Sequence, residues 1–171
     1  MFIKIYLAMG KTKFEESIAN GPHSKLQSYA GHWTGNTKTW FEKDVLADES
    51  AIAGEIESIL GNKFIRFTYQ GSIQSKALEG IMTWGYDLSN SRAECSWIDS
   101  FHMGTGILHS VGTATADGFS VLGSYGSSEY TEVWGWRTEI TLRDEELILT
   151  MFNISPEGEK AKAVESRMKR A

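Results

Sequence analysis

The chain has 171 residues, 41% of them hydrophobic, which is enough for one domain to bury a core without a disulfide or metal staple. Its formal net charge of −5, with both signs spread along the sequence, argues against the clustered Lys and Arg of a nucleic-acid binder. No run approaches the roughly 20 apolar residues of a transmembrane helix, and a single cysteine, Cys95, leaves no intramolecular disulfide. The expectation is a cytoplasmic protein with neither membrane nor nucleic acid as a partner.

Met1 to Ala8 are apolar but interrupted by Lys4, and they lack the charged start and small-residue cleavage site of a signal peptide. Residues 1–10 therefore read as a leader or a mis-called start, with Met9 as the alternative first residue, ahead of one domain over 11–171. Lys11 to Tyr29 reads as helical, with Phe14, Ile18 and Leu26 at apolar positions and Gly21-Pro22 dividing it into two short pieces. From Gly31 onward the period changes to two, and turn signals recur about every eight to twelve residues, the spacing of a sandwich or barrel.

The first strand spans about Trp33 to Glu42, and Asp44 to Ser50 reads as a polar loop before Ala51 to Leu60. Gly61-Asn62 turns the chain into Lys63 to Gln70, and a Gly-Ser break precedes Lys76 to Tyr86. Strands follow at Ala93 to Phe101, Gly104 to Gly112, Phe119 to Tyr125, Tyr130 to Leu142 and Glu146 to Ile154, with a weak last one near Ala161 to Met168. Asp117-Gly118, Asp144-Glu145 and Pro156-Glu157-Gly158 supply turns between them. About ten strands with no helices between them exclude a doubly wound α/β fold and predict a single antiparallel barrel, because closure removes exposed edges. A two-sheet sandwich is the competing architecture.

Gly31-His32-Trp33-Thr34-Gly35, then Gly80, Gly85-Tyr86-Asp87, Trp97-Ile98-Asp99-Ser100, Asp117-Gly118, Arg137 and Asp144-Glu145 occur in an order that resembles a bacterial family, domain of unknown function 1579. The likeness covers roughly His23 to the C-terminus and implies a lipocalin-like or fatty-acid-binding-like barrel. It implies no ligand and no catalytic set. The family's closing Tyr-x-Arg stretch reads Met168-Lys169-Arg170 here, a departure at the place of an expected cavity contact.

Within Ala93 to Phe101, alternation places Cys95, Trp97, Asp99 and Phe101 on one face, so a carboxylate interrupts an apolar stripe. Such a carboxylate either meets donors or a cation, titrates abnormally, or faces a wet cavity. Arg66 and Arg137 are the obvious cations, but alternation sends both outward; a bulge at Gly135 would bring Arg137 inward, as the family order favours. Trp33, Trp40, Trp84, Trp97, Trp134 and Trp136, with Tyr69, Tyr86 and Tyr130, suit either core filling or the wall of a ligand pocket. His102 and His109 are candidate acids or bases, although a structural role is the simpler reading for each.

No zinc spacing, phosphate loop, dinucleotide fingerprint or Gly-x-Ser-x-Gly elbow is present, and no histidine falls in the last strands, so neither a metal nor a haem or other cofactor is expected. The basic tail at Lys160, Lys162, Arg167, Lys169 and Arg170 reads as a solvated strand. The leading expectation is a barrel that binds a small, largely apolar ligand through Tyr69, Trp84, Trp97, Asp99, His102, Trp134 and Arg137. The alternatives are a small-molecule enzyme using Asp99 or His102 with Arg137, and a structural domain with a filled interior, for which a homodimer is compatible.

Overall fold

The computed structural model describes residues 12–102, 104–126 and 132–171. The expected leader over 1–10, and Tyr130 at the expected start of the eighth strand, lie outside the described residues. Two short helices, α1 (residues 12–20) and α2 (Pro22–Ser28), precede ten strands. In chain order these are β1 (Gly31–Glu42), β2 (Val45–Ile59), β3 (Phe64–Ile73), β4 (Lys76–Asp87), β5 (Arg92–Asp99), β6 (Leu108–Ala114), β7 (Gly118–Tyr125), β8 (Trp134–Arg143), β9 (Glu146–Ile154) and β10 (Lys160–Arg170). Each strand pairs antiparallel with the next, and β10 returns to pair with β1, closing the sheet into a barrel. The predicted all-β barrel is therefore observed, and the sandwich is not.

Several predicted boundaries move for one physical reason: polar residues on the outer face of a strand resemble loop residues. Asp44 to Ser50 is not a loop, since a tight turn at Lys43-Asp44, with Asp44 at φ 62°, launches β2 directly. Gly71-Ser72 stays within β3, and Gln74 and Ser75, both left-handed, make the two-residue hairpin turn. Asp144 and Glu145 turn β8 into β9 in the same way. The weak last strand is a full closing strand of 11 residues.

Alternation sorts each strand into an inward apolar row and an outward polar one. In the half of the barrel beneath the helices, Tyr29, Trp33, Ile56, Ile65, Trp84, Phe119, Ile140 and Met168 are fully buried, with Tyr29 and Trp84 both packed on Phe119. Met168 thus takes the inward place on β10 as an apolar filler. The helices are latched rather than merely laid on. Lys25 Nζ donates to the Thr115 and Ala116 carbonyls, Trp33 Nε1 donates to the Tyr29 carbonyl at 2.8 Å, and Arg170 donates to the Ser28 and Ala30 carbonyls at the end of α2. A cation at that end suits the helix dipole and satisfies carbonyls that the last turn leaves free.

Candidate functional site

Strand β5 ends at Asp99, and the carboxylate itself makes the ending. Its Oδ1 accepts from the backbone N–H groups of Phe101 at 3.1 Å and His102 at 2.5 Å, folding the chain into a turn closed by a side chain. Its Oδ2 sits 2.5 Å from His102 Nδ1. The Asp99 side chain is 0% exposed and that of His102 is 18% exposed. Burial alone raises the Asp99 carboxyl, but the His102 side-chain bond, the imidazole charge and the two backbone donors outweigh it and hold the group below its ordinary range. A carboxylate on Nδ1 fixes the proton there and leaves Nε2 for another partner.

Aromatic rings enclose this pair. His102 lies 5.3 Å from Trp97 and 5.9 Å from Trp136 between ring centroids, and 4.9 Å from Phe101. Trp97 and Trp136 stack at 5.3 Å, and Tyr125 meets Trp136 edge-on while donating its hydroxyl to Asn153 Oδ1. Trp97 Nε1 donates to the Tyr69 hydroxyl at 2.9 Å. Gly80 makes this bond sterically feasible, because a Cβ there would lie 2.3 Å from Tyr69 Cζ, so the phenol ring occupies the space of the missing side chain. Burial, reinforced by the Asp99 charge, raises the Tyr69 hydroxyl far above its normal range, so it stays protonated.

A small cavity lies inside the barrel against this group, lined by Thr37, Thr39, Tyr69, Trp97, Asp99 and His102 and by aliphatic residues from β2, β3, β4, β9 and β10. Its volume is about 20 Å³, room for roughly one water molecule. This differs from the expected hollow, since a drug-sized ligand needs roughly 300 Å³ or more. Thr37 accepts from Ser166 Oγ at 2.9 Å, whereas Thr39 Oγ1 and Trp136 Nε1 are buried with no hydrogen-bond partner among the described residues. A much larger concavity of about 1040 Å³ is walled mainly by outward-facing residues of β1 to β5 such as Glu55, Thr68 and Glu79, and it also touches Tyr69, Gly80 and Asp99. It indents the outer wall and shares Tyr69 and Asp99 with the small interior cavity.

Of the residues expected at the site, Tyr69, Trp97, Asp99 and His102 come together. Trp84 does not: it pairs with Cys95 at the far end of β4 and β5 and lies in the core beneath the helices. Trp134 sits half-buried opposite Tyr125 at the start of β8, and the indole in the cluster is Trp136. Arg137 requires correction. The β7–β8 register runs unbroken through Gly135, so no bulge forms, Arg137 faces outward, and its Nη1 donates to Ser120 Oγ at 3.1 Å. His109 is exposed on the outer face of β6, and the Cys95 thiol is buried and raised well above its normal range by that burial. Trp136 was named among the aromatic rings but not among the binding residues, although strict alternation along Trp136-Thr138-Ile140 points it inward, and Tyr125 and Thr39 were not named. Among the described residues no group of three or more His, Cys, Asp or Glu could hold a metal ion.

These features define a ten-stranded antiparallel barrel, capped by helices at one end and bearing an Asp–His pair among aromatic rings in its other half. The chain belongs to the family of proteins of unknown function DUF1579, whose pattern matches residues 19–170. Its fold is similar to that of Rv2717c from M. tuberculosis, known from a crystal structure. The TM-score is 0.58 at 14% identity, with 86% of this chain and 97% of that chain covered, a likeness of fold alone. None of the curated proteins matches the chain.

Proposed function

We propose that this protein binds a small, largely apolar molecule against Trp97, Trp136, Tyr125 and His102. The observation that carries the reading is the fully buried Asp99 carboxylate, spent on fixing one partly exposed imidazole among aromatic rings. The turn itself needs only Oδ1, so the Oδ2–His102 pair goes beyond what a filled core requires, since apolar residues of similar volume often stabilise an interior as well as a buried ion pair does. The size of the cavity restricts how a ligand sits: a group of about one heavy atom enters beside Trp97 and His102, and the apolar body lies against the exposed edges of the His102 and Phe101 rings.

A second reading has one specific support. A carboxylate on Nδ1 is how a general base is oriented, so His102 Nε2 is placed to move a proton. The arginine that reading required, Arg137, faces away, which leaves developing negative charge without that stabiliser. Binding is therefore the stronger reading.

Native mass spectrometry of freshly purified protein tests it. The expected spectrum shows a non-covalent adduct that denaturation releases and that is absent from a His102→Leu variant. Bare protein in every preparation, together with unchanged tryptophan emission across a library of small apolar compounds, would contradict the reading.

A further inference from the structure

The cavity beside Asp99 also constrains the chemistry of what enters it, an inference that rests on the binding reading above. Its polar lining consists of Thr37, Thr39, Tyr69, Asp99, His102 and Ser166, and no lysine or arginine lines it. Arg66 and Arg137, the cations that could have balanced Asp99, both lie outside, bonded to Glu57 and Ser120. The only group there able to become positive is His102, which is already bonded to Asp99. With Asp99 ionised, the pair sums to zero with the imidazole protonated and to a negative charge without it, and so presents no net positive charge.

Two hydrogen-bonding positions in the cavity are vacant. Thr39 Oγ1 is buried and unpartnered on a residue only 2% exposed. Tyr69 accepts from Trp97 but gives its own proton to no acceptor among the described residues, and burial keeps that proton in place. Unmade hydrogen bonds at buried hydroxyls are costly, so an occupant that completes them is favoured. At about 20 Å³ the space admits a single heavy atom with its hydrogens, and the two oxygens of a carboxylate exceed it.

We infer that the cavity beside Asp99 receives a hydrogen-bond-donating head of about one heavy atom, an alcohol hydroxyl or a protonated primary amine, and refuses a carboxylate. A hydroxyl accepts from Tyr69 or Thr39 and donates toward the Asp99–His102 pair; an ammonium, which only donates, bonds Thr39 Oγ1 and the same carboxylate and leaves the Tyr69 proton unpaired. A carboxylate brings a second negative charge beside a buried first one, with no lysine or arginine in the cavity to offset it.

Hexan-1-ol, hexylamine and hexanoate, titrated at pH 7 by calorimetry and tryptophan emission, keep one apolar body and change only the head. The alcohol and the amine are expected to bind at least ~10-fold more tightly than the acid, as like-charge repulsion in a buried site requires. Thr39→Val, which keeps the side-chain shape, is expected to weaken alcohol binding while the circular dichroism spectrum stays unchanged. Hexanoate binding as tightly as hexan-1-ol, or a Thr39→Val variant that binds the alcohol undiminished, overturns the inference and leaves the binding reading standing. If none of the three binds and none perturbs Trp97 or Trp136, the binding reading fails first and the inference with it.

Discussion

Asp99 closes its own strand end and orients an imidazole with the same carboxylate. Replacing it by Asn keeps an oxygen for the backbone donors but removes the charge that strengthens all three bonds. Asp99→Asn is therefore expected to lower stability by roughly 1–3 kcal/mol at neutral pH, read as a fall of several degrees in thermal midpoint. The Asp99 carboxyl titrates below its ordinary 3.8, so its contribution is complete above that pH and lost as pH falls through the lower folded value. Thermal scans should accordingly show the gap between wild type and variant closing below pH 3.8, and a gap constant down to pH 2 would contradict the assignment. At this scale the sequence was partly legible. A carboxylate in the inward row Cys95-Trp97-Asp99 announces itself by alternation, but its partner His102 lies past the strand end, where period two no longer places side chains. Arg137 was misplaced because a glycine between two tryptophans resembles a bulge, whereas the register holds and simple alternation was the better guide.

Among the elements, the helices carry a pH-sensitive contact. His23 is buried between the Phe14 and Tyr86 rings, with Nδ1 2.8 Å from Ser17 Oγ. Burial lowers its pKa from 6.5, partly offset by a bond to the Lys63 backbone, so the folded chain holds it neutral where the unfolded chain would protonate it. Stability is thus complete above about pH 6.5 and falls as pH drops below that value toward the lower folded pKa. Hydrogen exchange of the α2 amides is expected to quicken between pH 7 and pH 5.5, after correction for intrinsic rates, and a His23→Gln variant should lose the dependence. Equal protection at both values in the wild type would count against it. The division of the helices at Gly21-Pro22 was legible because proline resists the helix interior. The start of β2 was not, because Asp48, Glu49 and Ser50 read as loop although they pair with β1 along a strand, with Glu49 outward and Asp48 and Ser50 part-buried on the opposite face.

For the molecule as a whole, closure was predictable from the lack of helices between strands, and the ladder from β10 to β1 supplies it. What alternation could not convey is how full the interior is, since that depends on which rings meet across the barrel. Tyr69 fills the space over Gly80, Phe67 approaches Gly54, and Trp97 stacks on Trp136. The outer wall carries exposed ion pairs such as Arg66–Glu57 and Arg143–Asp117, which contribute little individually. No helix among the described residues is long and apolar enough to cross a membrane. The interior is where charge and hydroxyl groups stand among apolar walls, and the functional reading rests on that asymmetry.

The most direct measurement of that reading is side-chain NMR during titration with a library of small apolar compounds. The predicted result is a shared set of shifts at the Trp97 and Trp136 indole N–H groups and the His102 ring, with Trp84 and Trp33 unmoved. Shifts gathered in the outer concavity of β1 to β5, or none at any tryptophan, would contradict it.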